Sequence, residues 1–294
     1  MKILLLGKNG QVGWELQRSL TPLGDVVALD RQGGDGLCGD LADLDGLRNT
    51  IRQVRPDVLV NAAAYTAVDK AESDVQAAGL INAQAPGLMA QELHALGGWL
   101  VHFSTDYVFD GSGSTAWCET DRTAPLNQYG LSKLHGEQAI QASGCRHLIF
   151  RTSWVYAARG NNFARTMLRL AAERERLSVI DDQIGAPTGA ELLADVSAHA
   201  IRQAVLQPGL GGLYHLAAAG ETSWCGYARH VIDQARRDGA ALAVQAIEPI
   251  PSSAYPVAAT RPKNSRLDTG KLSRSFNLHL PDWKSGVSRM LMEI

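Results

Sequence analysis

Tyr129 and Lys133 stand four residues apart in Tyr129-Gly130-Leu131-Ser132-Lys133, a spacing that sets two side chains on one face of a helix. An ammonium beside a phenol favours the phenolate and lowers the tyrosine pKa. A tyrosine tuned in this way can serve as a general acid near neutral pH. The spacing alone is common, so its meaning rests on what the chain places around it. Ser104-Thr105-Asp106 follows a short apolar run. A hydroxyl at that point, from Ser104 or Thr105, could hydrogen-bond a substrate carbonyl.

A second chemical signal lies near the start of the chain. Gly7-Lys8-Asn9-Gly10-Gln11-Val12-Gly13 follows an apolar run at residues 3–6. Glycines there permit a tight turn and close approach of backbone to a pyrophosphate. The N–H groups of the helix that follows can face the phosphates. The spacing is G-x-x-G-x-x-G rather than the commonest G-x-G-x-x-G, and the flanking strand and helix give it weight. Asp30 ends the next apolar segment, where a carboxylate accepts hydrogen bonds from a ribose 2′-hydroxyl and favours NADH. Arg31 beside it could hold the 2′-phosphate of NADPH. Asp40 and Leu41 are placed to line an adenine, although an aspartate in a loop also serves as a helix cap.

These residues need a frame. Short apolar runs at 3–6, 25–30, 57–61, 99–104 and 147–151 read as strands buried on both faces. Helical patterns at 12–23, 43–54, 74–96 and from Tyr129 to 142 alternate with them. Such alternation predicts an α/β fold, a Rossmann-type doubly wound parallel sheet with helices on both sides. Ligands in such sheets lie beyond the carboxyl ends of the strands. Asn61-Ala62-Ala63-Ala64-Tyr65 ends the third strand, and its small residues let a cofactor lie against the backbone. After about residue 155 the alternation stops, and glycine- and proline-rich segments appear at 184–188, 207–212 and 249–262. Residues 1–155 with parts of 190–220 are expected to bind the dinucleotide. Residues 156–189 and 221–294 are expected to form a smaller, discontinuous substrate lobe.

Composition narrows the function classes. Twenty-eight basic against 30 acidic residues leave a net charge of −2, which gives no general attraction to nucleic acid or an anionic membrane. Cys38, Cys118, Cys145 and Cys225 show no metal-binding or disulfide spacing, as expected of free thiols in a reducing cytoplasm. No stretch approaches the roughly 20 apolar residues of a membrane helix.

Together the glycine turn, Asn61-Ala62-Ala63-Ala64, Ser104-Thr105-Asp106 and Tyr129-x-x-x-Lys133 resemble the extended short-chain dehydrogenase/reductases. Within that group the chain is similar to the dTDP-4-dehydrorhamnose reductases. That likeness rests on residues 7–16, 61–72 and 104–111, and on Arg151-Thr152-Ser153-Trp154-Val155-Tyr156. It also includes Asp182-Gln183-Ile184-Gly185-Ala186-Pro187-Thr188 and Arg261-Pro262-Lys263-Asn264-Ser265-Arg266-Leu267. The resemblance implies reduction of dTDP-4-dehydro-β-L-rhamnose by NADPH or NADH, the last step of dTDP-rhamnose synthesis for cell-surface polysaccharide. It implies Thr105, Tyr129 and Lys133 as the catalytic residues, with Lys133 also holding the nicotinamide ribose. Gly7, Gly10, Gln11, Val12, Gly13, Asp30, Arg31, Asp40, Leu41, Ala63, Ala64 and Tyr65 would bind the cofactor. Thr105, Asp106, Tyr129, Trp154 and Arg261 would contact the substrate, and Asn162, Phe163 and Gln183 would lie near the nucleotide. Some such reductases form dimers bridged by Mg2+ through glutamates, for which Glu15, Glu191 and Glu293 are the candidates. Two other readings share the pattern: a different nucleotide-sugar reductase, epimerase or dehydratase, and a non-catalytic regulatory subunit of methionine adenosyltransferase type.

Overall fold

The computed structural model describes all 294 residues. Six strands form its central sheet: β1 (Lys2–Leu6), β2 (Asp25–Leu29), β3 (Val58–Asn61), β4 (Trp99–Thr105), β5 (Arg146–Thr152) and β6 (Gly212–His215). Their spatial order is β2-β1-β3-β4-β5-β6, and each neighbouring pair is parallel. Alternate strand residues face opposite sides, so the sheet divides its apolar side chains between two cores. Ile3, Leu5, Val58, Val60, Val101 and Phe150 pack with Leu16, Leu20, Leu193 and Ile201 from the Gln11–Leu20 and Ala190–Leu206 helices. Leu4, Leu6, Leu59, Leu100 and Ile149 pack with Leu47, Ile51, Met89 and Leu93 from the Leu44–Val54 and Ala85–Leu96 helices. From β1 the chain moves outward to β2 and then crosses to β3 on the other side. This switch point opens a crevice at the carboxyl ends of β1 and β3, where the glycine turn and Asn61–Ala64 lie.

The structure revises three expected elements. The first helix ends at Leu20 and tightens into a 3-10 turn, Thr21–Leu23, containing Pro22. The expected helix at 74–96 is divided into Val75–Gly79, a π-helical turn at Leu80–Gln84, and Ala85–Leu96. Pro86 has no N–H to give to the Asn82 carbonyl, which loosens the ladder at that turn. The sixth strand starts at Gly212, the last residue of the glycine- and proline-rich segment at 207–212, and was not expected. Its Gly-Leu-Tyr-His sequence lacks the continuous apolar run of the other strands, and pairing with β5 stabilises it.

A third core lies in the C-terminal region, where Tyr156, Met167, Val179, Tyr227, Val231, Trp283 and Val287 come together. It joins the Phe163–Glu173, Trp224–Arg237 and Trp283–Leu291 helices to a parallel pair of strands, Arg176–Ile180 and Ala246–Ile250. No helix is long and apolar enough to cross a membrane.

Candidate active site

Backbone proximity defines the cofactor end of the crevice. Gly7 has φ +85, and a Cβ there would lie 2.8 Å from the Ala63 nitrogen. A Cβ on Gly13 would lie 2.0 Å from the Gly7 carbonyl oxygen. Only glycine allows this turn to close onto β3 and the helix to start beside it. Gly10 stands at the helix N-cap and contributes no side-chain cap, leaving first-turn amides for an anion. Residues 7–13 therefore fit a dinucleotide pyrophosphate.

At the adenosine end, Asp30 accepts from Asn9 Nδ2 at 2.8 Å and lies 3.7 Å from Lys8 Nζ. Arg31 Nε donates to Asp40 Oδ2 at 3.2 Å. Asp40 thus anchors Arg31 and caps its own turn through the Ala42 amide, while Leu41 is buried. Tyr65 is tied through its backbone N–H and C=O to the buried Asn82 side chain, at 2.8 and 3.0 Å.

Close packing also sets the helix that carries Tyr129 and Lys133, Gln128–Ala142. Asn127 caps it by accepting from the Gly130 amide at 2.8 Å, and Glu72 Oε1 accepts from the Gln128 amide at 2.8 Å. A Cβ on Gly130 would lie 2.2 Å from the Tyr107 carbonyl oxygen, and one on Gly136 would lie 2.1 Å from that of Asn82. Two glycines on the buried side thus let the helix approach the end of β4 and the π-helical turn closely.

Thr105 ends β4. Its Oγ1 accepts from the Tyr107 amide at 3.2 Å and donates to Asp106 Oδ1 at 3.0 Å. Tyr129 is half-buried. Burial first, and then the charge of Asp106, push its phenol up to about 12, against a lowering hydrogen bond to Thr105. Burial also pushes Asp106 up to about 6, against lowering hydrogen bonds from Ser265 and Thr105. Asp106 Oδ2 is buried without a protein partner. Lys133 lies on the expected face but bonds elsewhere: its Nζ is 2.6 Å from the Phe103 carbonyl oxygen and 3.0 Å from His102 Nε2. The expected lowering of the Tyr129 pKa by Lys133 is therefore corrected. Desolvation and a neighbouring carboxylate raise it, because the amine is turned towards β4.

Trp154 follows β5 with φ +50, in the left-handed region that a bulky side chain rarely adopts. Its indole stacks on Trp224 at 3.7 Å between ring centroids and 14° between planes. Trp224 Nε1 donates to Gln183 Oε1 at 3.1 Å, and Phe163 packs on the same indole. Gln183 and Phe163 therefore support the tryptophan pair. Asn162 caps its own helix through the Arg165 amide and donates to Gln11 Oε1 at 3.2 Å, joining the C-terminal region to the cofactor helix. Arg261 forms a bidentate pair with Asp69 at 3.0 and 2.7 Å, so its guanidinium already holds a carboxylate.

The three glutamates do not fit a metal within one chain. Arg289 lies 3.7 Å from Glu191 and 3.8 Å from Glu293, and Arg18 lies 3.7 Å from Glu15. No three carboxylate, imidazole or thiol side chains are set to hold an ion. A cavity of about 300 Å³ beside Glu191 and Arg289 shares no residue with the Tyr129 site.

The model of the family described as RmlD substrate binding domain matches residues 1–294. The chain belongs to that family. It is 58% identical over 294 residues to the dTDP-4-dehydrorhamnose reductase of Shigella flexneri, covering 100% of this chain and 98% of that protein. Among solved structures, a dTDP-4-dehydrorhamnose reductase from Clostridium acetobutylicum superposes with a TM-score of 0.90 at 32% identity, covering 99% of both chains. One from Bacillus anthracis, in complex with NADP, gives 0.88 at 34% identity, covering 100% of this chain and 99% of that one. The likeness to both solved structures extends over nearly the whole chain.

Sequence reasoning missed four residues of this site: Glu72, Asn82, His102 and Trp224. Glu72 and Asn82 act through the backbone of segments distant in sequence. His102 sits inside a strand, where a lone histidine reads as core. Trp224 begins a helix with an apolar stripe, where an aromatic residue looks like packing.

Proposed function

We propose that this chain is an NAD(P)H-dependent oxidoreductase that reduces the 4-keto group of dTDP-4-dehydro-β-L-rhamnose to give dTDP-L-rhamnose. One observation carries the reading: Thr105 ends β4, and the helix that carries Tyr129 packs closely on Tyr107 just beyond it, at the same carboxyl end of the sheet as the glycine turn. Gly7, Gly10, Gln11, Val12 and Gly13 would cradle the pyrophosphate, with Ala63, Ala64 and Tyr65 along the dinucleotide. Asp30, with Lys8, Asn9 and Arg31 around it, would face the adenosine ribose. NAD(P)H, when bound, supplies the hydride to the keto carbon.

The protein's part is to handle the oxygen. Thr105 donates a hydrogen bond to it, stabilising charge as it develops. Tyr129 gives it a proton. A phenol raised to about 12 is fully protonated at neutral pH, the form a general acid needs in the reducing direction. Lys133 would orient the nicotinamide ribose, while Asp106 and the stacked Trp154 would hold the sugar. Residues 1–155 with parts of 190–220 serve the cofactor in this reading, and residues 156–189 and 221–294 serve the sugar nucleotide.

The test is loss of reduced-nicotinamide absorbance with enzymatically generated dTDP-4-dehydro-L-rhamnose, run with NADPH and with NADH. Formation of dTDP-L-rhamnose in step with cofactor oxidation is expected. No oxidation with either cofactor sinks the assignment.

A further inference from the structure

His102 has no role in the chemistry above, yet it lies between Lys133 and Asn61 in a chain of hydrogen bonds. The Ala63 amide donates to Asn61 Oδ1 at 3.1 Å. This fixes the side-chain amide, so Asn61 Nδ2 is the group that faces His102 Nδ1 at 3.2 Å. An amide NH2 only donates, so Nδ1 carries the lone pair and the single proton of a neutral imidazole sits on Nε2. That N–H points at Lys133 Nζ, 3.0 Å away. An ammonium has three donors and no acceptor, so it would set donor against donor. A neutral amine accepts from Nε2–H and still donates to the Phe103 carbonyl at 2.6 Å.

We propose that His102 is the positioning residue for Lys133. Held by Asn61 with its proton on Nε2, it favours the neutral amine of the resting lysine, which takes up a proton from solvent as it leaves His102 for the bound cofactor. Both groups are almost wholly buried, at 2% and 1% exposure. Desolvation brings Lys133 down to about 8 even with Glu137 pulling it up, and holds His102 well below the usual imidazole value. The titratable and charged groups around Lys133 are His102 from β4, Tyr129 one turn back on its own helix, and Glu137 one turn on, which is paired with Arg151 of β5. Protonation of the lysine and its swing towards the cofactor then become one event. Cofactor binding takes up a proton at any pH between the resting and the bound pKa of Lys133.

The inference rests on the cofactor assignment, and its test separates the two. Calorimetric titration of NADPH in buffers of different ionisation enthalpy counts the protons bound. The titration is run at about pH 9, between the resting value and the ordinary lysine value, where the NADPH phosphates are fully ionised. A Tyr129→Phe background removes the phenol from the count, and uptake of roughly one proton per site is expected there. Asn61→Asp supplies an acceptor to Nδ1, moves the imidazole proton to it and leaves Nε2 a lone pair for an ammonium. His102→Gln offers an amide oxygen to the lysine directly. Added to that background, each change should cut proton uptake roughly threefold or more. A merely structural role would weaken binding without moving the proton count. No uptake in the background variant, or undiminished uptake in both double variants, overturns the proposal. Failure of the background variant to bind either NADPH or NADH overturns the cofactor assignment instead.

Discussion

Lys133 of the Gln128–Ala142 helix and Arg151 of β5 are two buried basic residues, at 2% and 4% exposure, and they are partnered in opposite ways. Arg151 holds Glu137 through two bonds, 2.9 Å from Nε to Oε1 and 2.6 Å from Nη2 to Oε2, and its guanidinium lies over the Phe109 ring. Lys133, one turn from that glutamate, has only an imidazole and a backbone carbonyl. A guanidinium cannot shed its proton, so burying it requires a carboxylate. An amine can, so the fold leaves it with neutral partners. The Arg151 pair locks β5 to the helix, while Lys133 beside it stays free to change charge and reach.

The largest expected effect probes the functional side of this contrast. Tyr129→Phe should lower turnover roughly 10²- to 10⁴-fold while NADPH binding, measured by calorimetry, is retained. Near-normal turnover in that variant would remove the acid role. On the structural side, Glu137→Ala strands a buried guanidinium and should cost about 3–5 kcal/mol of stability in urea unfolding. A loss below about 1 kcal/mol, the scale of an exposed pair, would erase the distinction between the two cations.

The pH dependence sharpens the comparison further. The folded-state pKa of Lys133 is lowered, so between about 8 and 10.5 the unfolded chain binds more protons than the folded one. Stability relative to a Lys133→Met variant should therefore rise with pH across that window. Urea midpoints of the two proteins at both ends of the window check the sign, and a difference that stays flat or shrinks would mean the lysine is charged at rest. The smallest effect concerns a cation nearer the surface. Asp69→Asn should cost only about 0.2–1 kcal/mol in the same assay, because the Arg261 pair is partly solvated.

Much of the site was legible because its residues obey local rules. Gly7 and Gly13 fall between an apolar strand and an amphipathic helix, and the i, i+4 spacing of Tyr129 and Lys133 survives in any helix. The five strands named from apolar runs are all present, and the sixth was missed because Gly212–His215 draws its stability from β5 alone. Partnerships were harder to read. Asp40 with Arg31, Arg261 with Asp69, and Trp154 with Trp224 each join residues whose separation in sequence carries no periodic signal. The direction of the Tyr129 shift was misread for the same reason, since it depends on where the Lys133 amine turns and on how deeply the Asp106 carboxylate is buried.

The sequence by itself determined the order of the first five strands and the helices between them, the glycine cradle, and the presence of a threonine, a tyrosine and a lysine at matching strand and helix positions. Each of these follows from steric freedom or from periodicity within a few neighbouring residues. Tertiary structure alone decided which charges are paired, which proton each buried group holds, and that His102 stands behind Lys133. Those properties depend on desolvation and on distances of about 3 Å between segments that only packing brings together.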